Sequence, residues 1–123
     1  MTVLDGGLST ALEQQGADLS TSLWTARLLA EDPRRILEAH RSFFAAGAQV
    51  ATTATYQASV EGFAGAGYDE DNARRLIRSS VALAREARDE AADGNSGLLV
   101  AASVGPYGAF LADGSEYLSL IHI

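Results

Sequence analysis

Three short apolar runs, each ending in a polar or glycine-rich loop, constrain the fold of this chain more than any other feature. They lie at residues 2–5, 48–53 and 98–104. The second and third do not alternate cleanly between apolar and polar residues, which is typical of strands buried on both faces. Stretches with helical spacing separate the runs. The order β, α, β, α, β therefore predicts an α/β fold with a parallel sheet and right-handed helical crossovers.

The predicted helices have recognisable ends. Proline at position 33 is permitted at a first helical position, and Gly16 and Gly47 stand where helix C-termini favour glycine. A long helix is predicted to begin at Asp69, after a glycine-rich stretch at 61–68, and to end at the DGNSG segment. Its inward residues are predicted to be Ala73, Leu76, Ile77, Ser80, Val81, Ala84 and Ala87. The three earlier helices are predicted over 8–15, from Ser22 as N-cap to about Ala30, and from Asp32-Pro33 to Gly47.

Two architectures begin in this way, the (β/α)8 barrel and the open doubly wound sheet. In both, functional loops follow the carboxyl ends of the strands. The segments DGG at 5–7, TYQAS at 55–59 and GPYG at 105–108 all occupy such places. We therefore expect them to meet on one rim of the sheet, where a small ligand could bind.

Asp5 is the ionisable residue of the first loop. Its carboxylate could pair with a substrate ammonium, while the amides of Gly6 and Gly7 could approach a carboxylate because no Cβ blocks them. The alternative is an aspartate that caps the helix starting near Gly7 or shapes the turn. The residue pattern alone leaves both open.

Other polar residues give weaker indications. Tyr56 and Gln57 could hydrogen-bond a ligand, although a strand-end tyrosine often only covers a barrel rim. His40 lies on the apolar stripe of a predicted helix, so we interpret it as a packed residue away from the loops. No nucleotide-binding, HExxH or nucleophile-elbow motif occurs.

Charge and cysteine content exclude several classes of partner. The formal charge of −7 argues against binding to nucleic acid or anionic membrane surfaces, because the summed field repels both. The absence of cysteine excludes disulfides and thiolate metal sites within this chain. No secretory signal is visible at the start and no run is long enough to span a bilayer, so we expect a cytoplasmic protein.

Four segments together resemble the zinc-dependent homocysteine S-methyltransferases of the S-methylmethionine-using type. They are LDGGLSTALEQQG, SLWTARLL, AGAQVATTATYQAS and LLVAASVGPYGAFLADGSEY, in that order. The resemblance covers residues 3–117 and implies a (β/α)8 barrel. Since such a barrel needs about 250 residues, residues 1–117 would be the N-terminal part of a homocysteine-binding barrel domain, an incomplete piece with the first three β/α units.

The resemblance also implies an activity. Family members move a methyl group from a sulfonium donor, here S-methylmethionine or S-adenosylmethionine, to the thiol of homocysteine, giving methionine. Three cysteine thiolates hold Zn²⁺, which binds the substrate sulfur as a thiolate. Those cysteines would lie beyond the end of this chain, which has none. The chain alone is expected to bind no zinc through cysteine and to be inactive.

The resemblance assigns roles to residues of the first two loops. Asp5, Gly6 and Gly7 match the family's DGG, whose loop meets the amino acid part of homocysteine. Tyr56 and Gln57 match the loop after the second strand, near the metal. Relatives that use betaine carry a different residue at the position of Gln57, so a betaine donor is less expected here.

The end of the chain holds one more predicted site residue and a shift in composition. Gly105, with Pro106, matches the family's loop after the third strand, where it is expected to shape the substrate pocket. The last six residues, LSLIHI at 118–123, hold two of the four isoleucines and one of the two histidines. We interpret them as a non-native tail.

Two other hypotheses remain open from the sequence. The chain could be a non-catalytic small α/β module that binds an amino acid or a partner chain. It could also be an unrelated α/β enzyme with a similar opening, although the missing phosphate-binding motif gives this little support.

Overall fold

A parallel sheet with helices packed against it forms the described part of the chain. The computed structural model describes residues 1–20, 23–94 and 97–105. Strands β1 and β2 pair in parallel, with Val50 opposite Leu99, and Leu4 adds an isolated parallel bridge on the other side of Val50. The predicted α/β class and the order of the three runs are confirmed. The elements are α1 (Leu8–Gln14), α2 (Trp24–Glu31), α3 (Pro33–Ala45), β1 (Val50–Thr52), α4 (Val60–Gly65), α5 (Glu70–Ala92) and β2 (Leu99–Ala101).

The prediction of a buried first strand at residues 2–5 is wrong. Only Leu4 forms a bridge there, and Leu4 is 65% exposed. Residues 98–104 are also less buried than predicted, since only Leu99–Ala101 is strand and Leu99 is 57% exposed. A parallel strand is buried on both faces only where elements cover both faces. Among the described residues, α3 and α5 pack against the face of the sheet that carries Ala51.

The predicted helix ends agree closely with the structure. Pro33 is the first residue of α3, and the side chain of Asp69 caps α5 by accepting a hydrogen bond from the Asn72 amide at 2.8 Å. Gly16 and Gly47 have φ angles of +80° and +104°, the left-handed region that favours glycine after a helix. Along the described residues, no helix is long and apolar enough to cross a membrane. The prediction of Ser22 as the cap of α2 is wrong, because the N-cap residue is Leu23 and no side chain caps this helix. Residues 106–123, including the predicted tail, lie outside the described residues.

Helix α4 was not predicted. It occupies part of the glycine-rich stretch, and the Ser59 hydroxyl caps it by accepting a hydrogen bond from the Gly62 amide at 2.9 Å. Phe63 anchors it, because this side chain is only 1% exposed and its ring meets Tyr68 edge to face. One buried aromatic residue therefore outweighs the low helix propensity of glycine.

Two clusters make up the core. The larger lies among the helices and includes Leu12, Ile36 and Phe63. The smaller joins α3 and α5 to β1, where Leu37, Phe44 and Ala87 pack with Ala51. On α5, the predicted inward residues Ala73, Leu76, Ser80, Ala84 and Ala87 are buried, whereas Ile77 and Val81 are partly exposed. Residues at the carboxyl ends of the strands line a cavity.

Candidate functional site

A cavity of about 370 Å³ lies where the first loop, the loop after β1 and the segment after β2 come together. The first loop contributes Asp5 and Gly6, the loop after β1 contributes Tyr56 and Gln57, and Ser103 follows β2. The first two predicted loops therefore meet on one rim, with Ser103 beside them, whereas residues 106–108 of the third predicted loop lie outside the described residues. Gly7 and Gly105, also predicted for the site, are not among the residues that line this cavity. A larger depression of about 830 Å³ lies on the charged face of α5, and its lining residues all belong to that helix.

Asp5 is held in place by the neighbouring strand. Its two carboxylate oxygens accept hydrogen bonds from Thr52, one from the backbone amide at 2.7 Å and one from the hydroxyl at 2.8 Å. The amide of Asp5 donates to the Val50 carbonyl at 3.0 Å. The alternative that Asp5 caps α1 is wrong, because the N-cap residue is Gly7 and no side chain caps this helix. Each carboxylate oxygen can still accept a second hydrogen bond, and Asp5 is only partly buried.

Gly6 permits the close approach of α3 to the first loop. A Cβ at this position would lie 3.0 Å from Cε1 of Phe43. This distance is too short for a relaxed contact, so a larger residue would displace either the Phe43 ring or the loop. Glycine at position 6 therefore brings Asp5 and the N-terminal end of α1 against the helical layer.

A chain of hydroxyl groups joins the loop after β1 to the segment after β2. The hydroxyl of Thr55 donates to the Ser103 carbonyl at 2.6 Å, and the Ser103 amide donates to the hydroxyl of Thr53 at 2.9 Å. The two threonine hydroxyls are 2.7 Å apart. Since the proton of Thr55 is already used, Thr53 donates to Thr55. These bonds fix the wall of the cavity between β1 and β2.

His40 lies behind this region, fully buried in α3. Neither ring nitrogen has a hydrogen-bond partner among the described residues. Burial lowers the pKa of His40 below its usual value, while the nearby negative charge of Asp5 acts in the opposite direction. Its predicted packed position is confirmed, but it is closer to the first loop than the sequence indicated.

The sequence analysis missed part of the cavity wall. Trp24 and Thr25 at the start of α2, together with Ser9 of α1, line the cavity. Trp24 belongs to the quoted SLWTARLL segment, but no local pattern indicates that it lines the cavity at the strand ends. The cavity thus combines a carboxylate, an amide, hydroxyl groups and the aromatic rings of Trp24 and Tyr56. Such a set suits a small polar molecule that carries positive charge.

The described residues do not fit a metal centre. Within residues 1–20, 23–94 and 97–105, no three His, Cys, Asp or Glu side chains are grouped so that they could hold a metal ion. The sequence also has no cysteine.

Comparison with known proteins identifies close relatives. The family model for homocysteine S-methyltransferase matches residues 2–123. The chain is 51% identical to homocysteine S-methyltransferase YbgG of Bacillus subtilis (strain 168), over 95% of this chain and 39% of that protein. It is 52% identical to homocysteine S-methyltransferase of Escherichia coli (strain K12), over 98% of this chain and 40% of that protein. The chain thus spans about two fifths of the length of these curated relatives.

Solved structures agree with these matches. The crystal structure of the homocysteine methyltransferase MmuM from Escherichia coli in its metallated form matches with a TM-score of 0.90 and 52% identity, over 95% of this chain and 42% of that chain. The oxidized form of the same protein matches with a TM-score of 0.89 and 51% identity.

Proposed function

The chain belongs to the homocysteine S-methyltransferase family, and we propose that it is part of an enzyme that methylates the thiol of homocysteine to give methionine. The methyl donor in this proposal is a sulfonium compound, S-methylmethionine or S-adenosylmethionine. The observation that carries the proposal is the cavity at the strand ends, where Asp5, Tyr56 and Gln57 lie together. Because the chain spans only about two fifths of its curated relatives, the activity is proposed for the whole protein.

In this proposal, the first loop binds the amino acid part of homocysteine. The Asp5 carboxylate accepts hydrogen bonds from the substrate ammonium, and the two bonds from Thr52 hold it in position beforehand. The amide of Gly6, which lines the cavity, is proposed to face the substrate carboxylate. A preorganised carboxylate loses little conformational freedom on binding, so its contact favours one orientation of the substrate.

The aromatic side of the cavity is proposed to receive the methyl donor. A sulfonium centre carries a positive charge, and aromatic faces attract such cations. Trp24 and Tyr56 both line the cavity, and Tyr56 is 49% exposed. Gln57 could donate or accept one hydrogen bond beside them. The proposed donor class rests on this combination together with the family membership.

Activation of the thiol is the chemical difficulty of the reaction. A free thiol has a pKa of about 8.5, so most of it is protonated at neutral pH and is a weak nucleophile. The family resemblance assigns this task to Zn²⁺ held by three cysteines. Because the described residues do not fit a metal centre, zinc and its ligands are proposed only for the remainder of the whole protein. The (β/α)8 barrel and the cytoplasmic location stay part of the same proposal.

A chimera tests the proposed function. Residues 1–105 would replace the matching segment of the Escherichia coli relative, and methyl transfer to homocysteine would be assayed with S-methylmethionine and with S-adenosylmethionine. We expect activity within about tenfold of the intact relative, a difference of about 1.4 kcal/mol in the barrier. A folded chimera with no activity would contradict the proposal.

The alternative is a non-catalytic module that binds an amino acid. This alternative remains because described residues of this chain form a cavity that could hold an amino acid. Isothermal titration of the isolated chain with homocysteine separates the two hypotheses. A module predicts saturable heat, whereas a part of an enzyme without its metal centre predicts none.

A further inference from the structure

Thr55, in the loop after β1, has its amide, its carbonyl and its hydroxyl all hydrogen-bonded within the protein. The amide donates to the Thr53 carbonyl at 2.9 Å, and the carbonyl accepts from the Ala58 amide at 3.2 Å. The hydroxyl accepts from the Thr53 hydroxyl at 2.7 Å and donates to the Ser103 carbonyl at 2.6 Å. Thr55 is only 8% exposed. Its bonds therefore define a fixed local geometry, because each lost bond would leave a buried polar group unpaired.

The backbone bond from Ala58 to Thr55 closes a four-residue turn. Tyr56 and Gln57 are the two central residues of this turn, and both line the cavity. Thr55 itself is not among the described residues that line the cavity. The place of the two central residues depends on the position of the turn's first residue. Thr55 thus sets the position of two cavity residues without lining the cavity.

The hydroxyl of Thr55 joins this turn to the segment after β2. The Ser103 carbonyl accepts from Thr55, and the Ser103 amide donates to the Thr53 hydroxyl at 2.9 Å. With the bond between the two threonine hydroxyls, these contacts form a closed ring of three hydrogen bonds. Buried hydrogen bonds in such a ring polarise one another, and a fully satisfied network holds its members rigidly. The turn is therefore fixed relative to β2 as well as to β1.

Thr55 has a counterpart at the end of β1. Thr52 holds the Asp5 carboxylate of the first loop through two hydrogen bonds, so the two threonines fix different parts of the cavity wall. Resting on the proposed function, in which the aromatic side of the cavity receives the methyl donor, we propose that Thr55 is a positioning residue for that donor. Its hydroxyl holds the turn that carries Tyr56 and Gln57, so loss of the hydroxyl weakens binding of the donor more than binding of homocysteine.

The test measures two KM values in the active chimera, one for homocysteine and one for whichever of S-methylmethionine and S-adenosylmethionine gives the higher rate. Thr55→Val keeps the shape of the side chain and removes the hydroxyl. We expect the KM for the donor to rise about tenfold or more and the KM for homocysteine to stay within about twofold. Thr55→Ser keeps the hydroxyl and should restore both values. If Thr55→Val fails to fold, Thr55→Ala removes the same hydroxyl without placing a methyl group beside its former partners, and the same split is expected.

Two further variants separate loss of position from loss of stability. Thr52→Val removes the hydroxyl bond to Asp5 and should raise the KM for homocysteine while the KM for the donor stays unchanged. Asp69→Ala removes the side-chain cap of α5, which lowers stability without altering a residue that lines the cavity. Both KM values should then stay unchanged.

Amide hydrogen exchange in the 123-residue chain, followed by NMR, tests the geometry independently of activity. The amides of Ala58 and Ser103 both donate hydrogen bonds in this region. We expect them to exchange slowly in the parent chain and in Thr55→Ser, and about tenfold faster in Thr55→Val, because the turn then opens more readily.

Several outcomes in an active chimera would overturn the inference and leave the proposed function standing. These are an unchanged KM for the donor in Thr55→Val, an equal rise in both KM values, a Thr55→Ser variant as impaired as Thr55→Val, or the same changes in Asp69→Ala. A folded chimera without activity would instead refute the proposed function. Exchange at Ala58 and Ser103 that depends on the Thr55 hydroxyl would then still support its positioning role, whereas exchange that does not depend on it would overturn that role.

Discussion

Asp5 shows at the residue scale how one side chain can serve both the fold and the site. Its oxygens accept two hydrogen bonds from Thr52 and so join the first loop to β1. The residue pattern indicated a loop carboxylate at a strand end but not this partner, because residues 5 and 52 are brought together only by strand pairing. The orientation of Asp5 therefore depends on tertiary structure, whereas its place on the rim follows from the strand order.

The Asp5–Thr52 contact can be measured by mutation. Asp5→Ala leaves the Thr52 amide and hydroxyl without their partner, and we expect the free energy of unfolding to fall by about 1–3 kcal/mol. Thr52→Val removes only the hydroxyl and should cost less. Urea unfolding of both single variants and of the double variant gives the coupling between the two side chains. Strictly additive losses would contradict a direct contact.

His40 predicts a pH dependence of stability. Burial lowers the pKa of His40 in the folded chain below the ordinary value of 6.5. Between these two pKa values the unfolded chain binds a proton that the folded chain does not. The free energy of unfolding is therefore unaffected by His40 above pH 6.5 and falls as the pH decreases below 6.5. The slope should approach about 1.4 kcal/mol per pH unit. The lowered pKa values of Asp18 and Glu90 act only at lower pH, since their ordinary values are 3.8 and 4.5.

Urea unfolding between pH 7.5 and pH 5 checks this prediction. His40→Leu should remove the slope, because leucine fills much of the same apolar space and carries no titrating group. His122→Gln is the matched control and should retain it. An unchanged slope in His40→Leu would show that another group causes the pH dependence.

The elements differ in how well the sequence predicts them. Helices α3 and α5 follow their predicted boundaries, because Pro33 and Asp69 act locally on the first turn. Helix α4 was missed, because its stability depends on the burial of Phe63 rather than on its glycine-rich sequence. The position of Trp24 on the cavity wall was also missed, because it too depends on tertiary packing rather than on a local pattern. Local patterns predict element ends, but they do not predict which faces meet.

The contact between the first loop and α3 gives a prediction at this scale. Gly6→Ala places a methyl group 3.0 Å from the Phe43 ring, and we expect a loss of about 1–3 kcal/mol in unfolding free energy. Phe43→Leu in the same chain should recover part of the loss by making room. Gly65→Ala is the control, since nothing lies within 4 Å of a Cβ there. Equal losses for both alanine variants would contradict a specific contact at Gly6.

At the scale of the whole molecule, the order of the strands and the meeting of the first two loops were predictable, whereas the burial of the strands was not. The apolar runs indicated a sheet covered on both faces, but Leu4 and Leu99 are mainly exposed. Periodicity reports which face of a strand is apolar and does not report what covers it. The hydrogen bonds between the hydroxyls of Thr53 and Thr55 and the backbone of Ser103 were missed because they join residues about 50 positions apart in the sequence.

The central claim is that the carboxylate of Asp5 binds the amino group of homocysteine at the strand ends. The most direct measurement is the KM for homocysteine of the active chimera and of its Asp5→Asn variant, which keeps the shape of the side chain and removes its charge. We predict a KM for homocysteine raised about tenfold or more, the loss expected for one charged hydrogen bond, with the KM for the methyl donor unchanged. An unchanged KM for homocysteine in a folded variant would contradict the account.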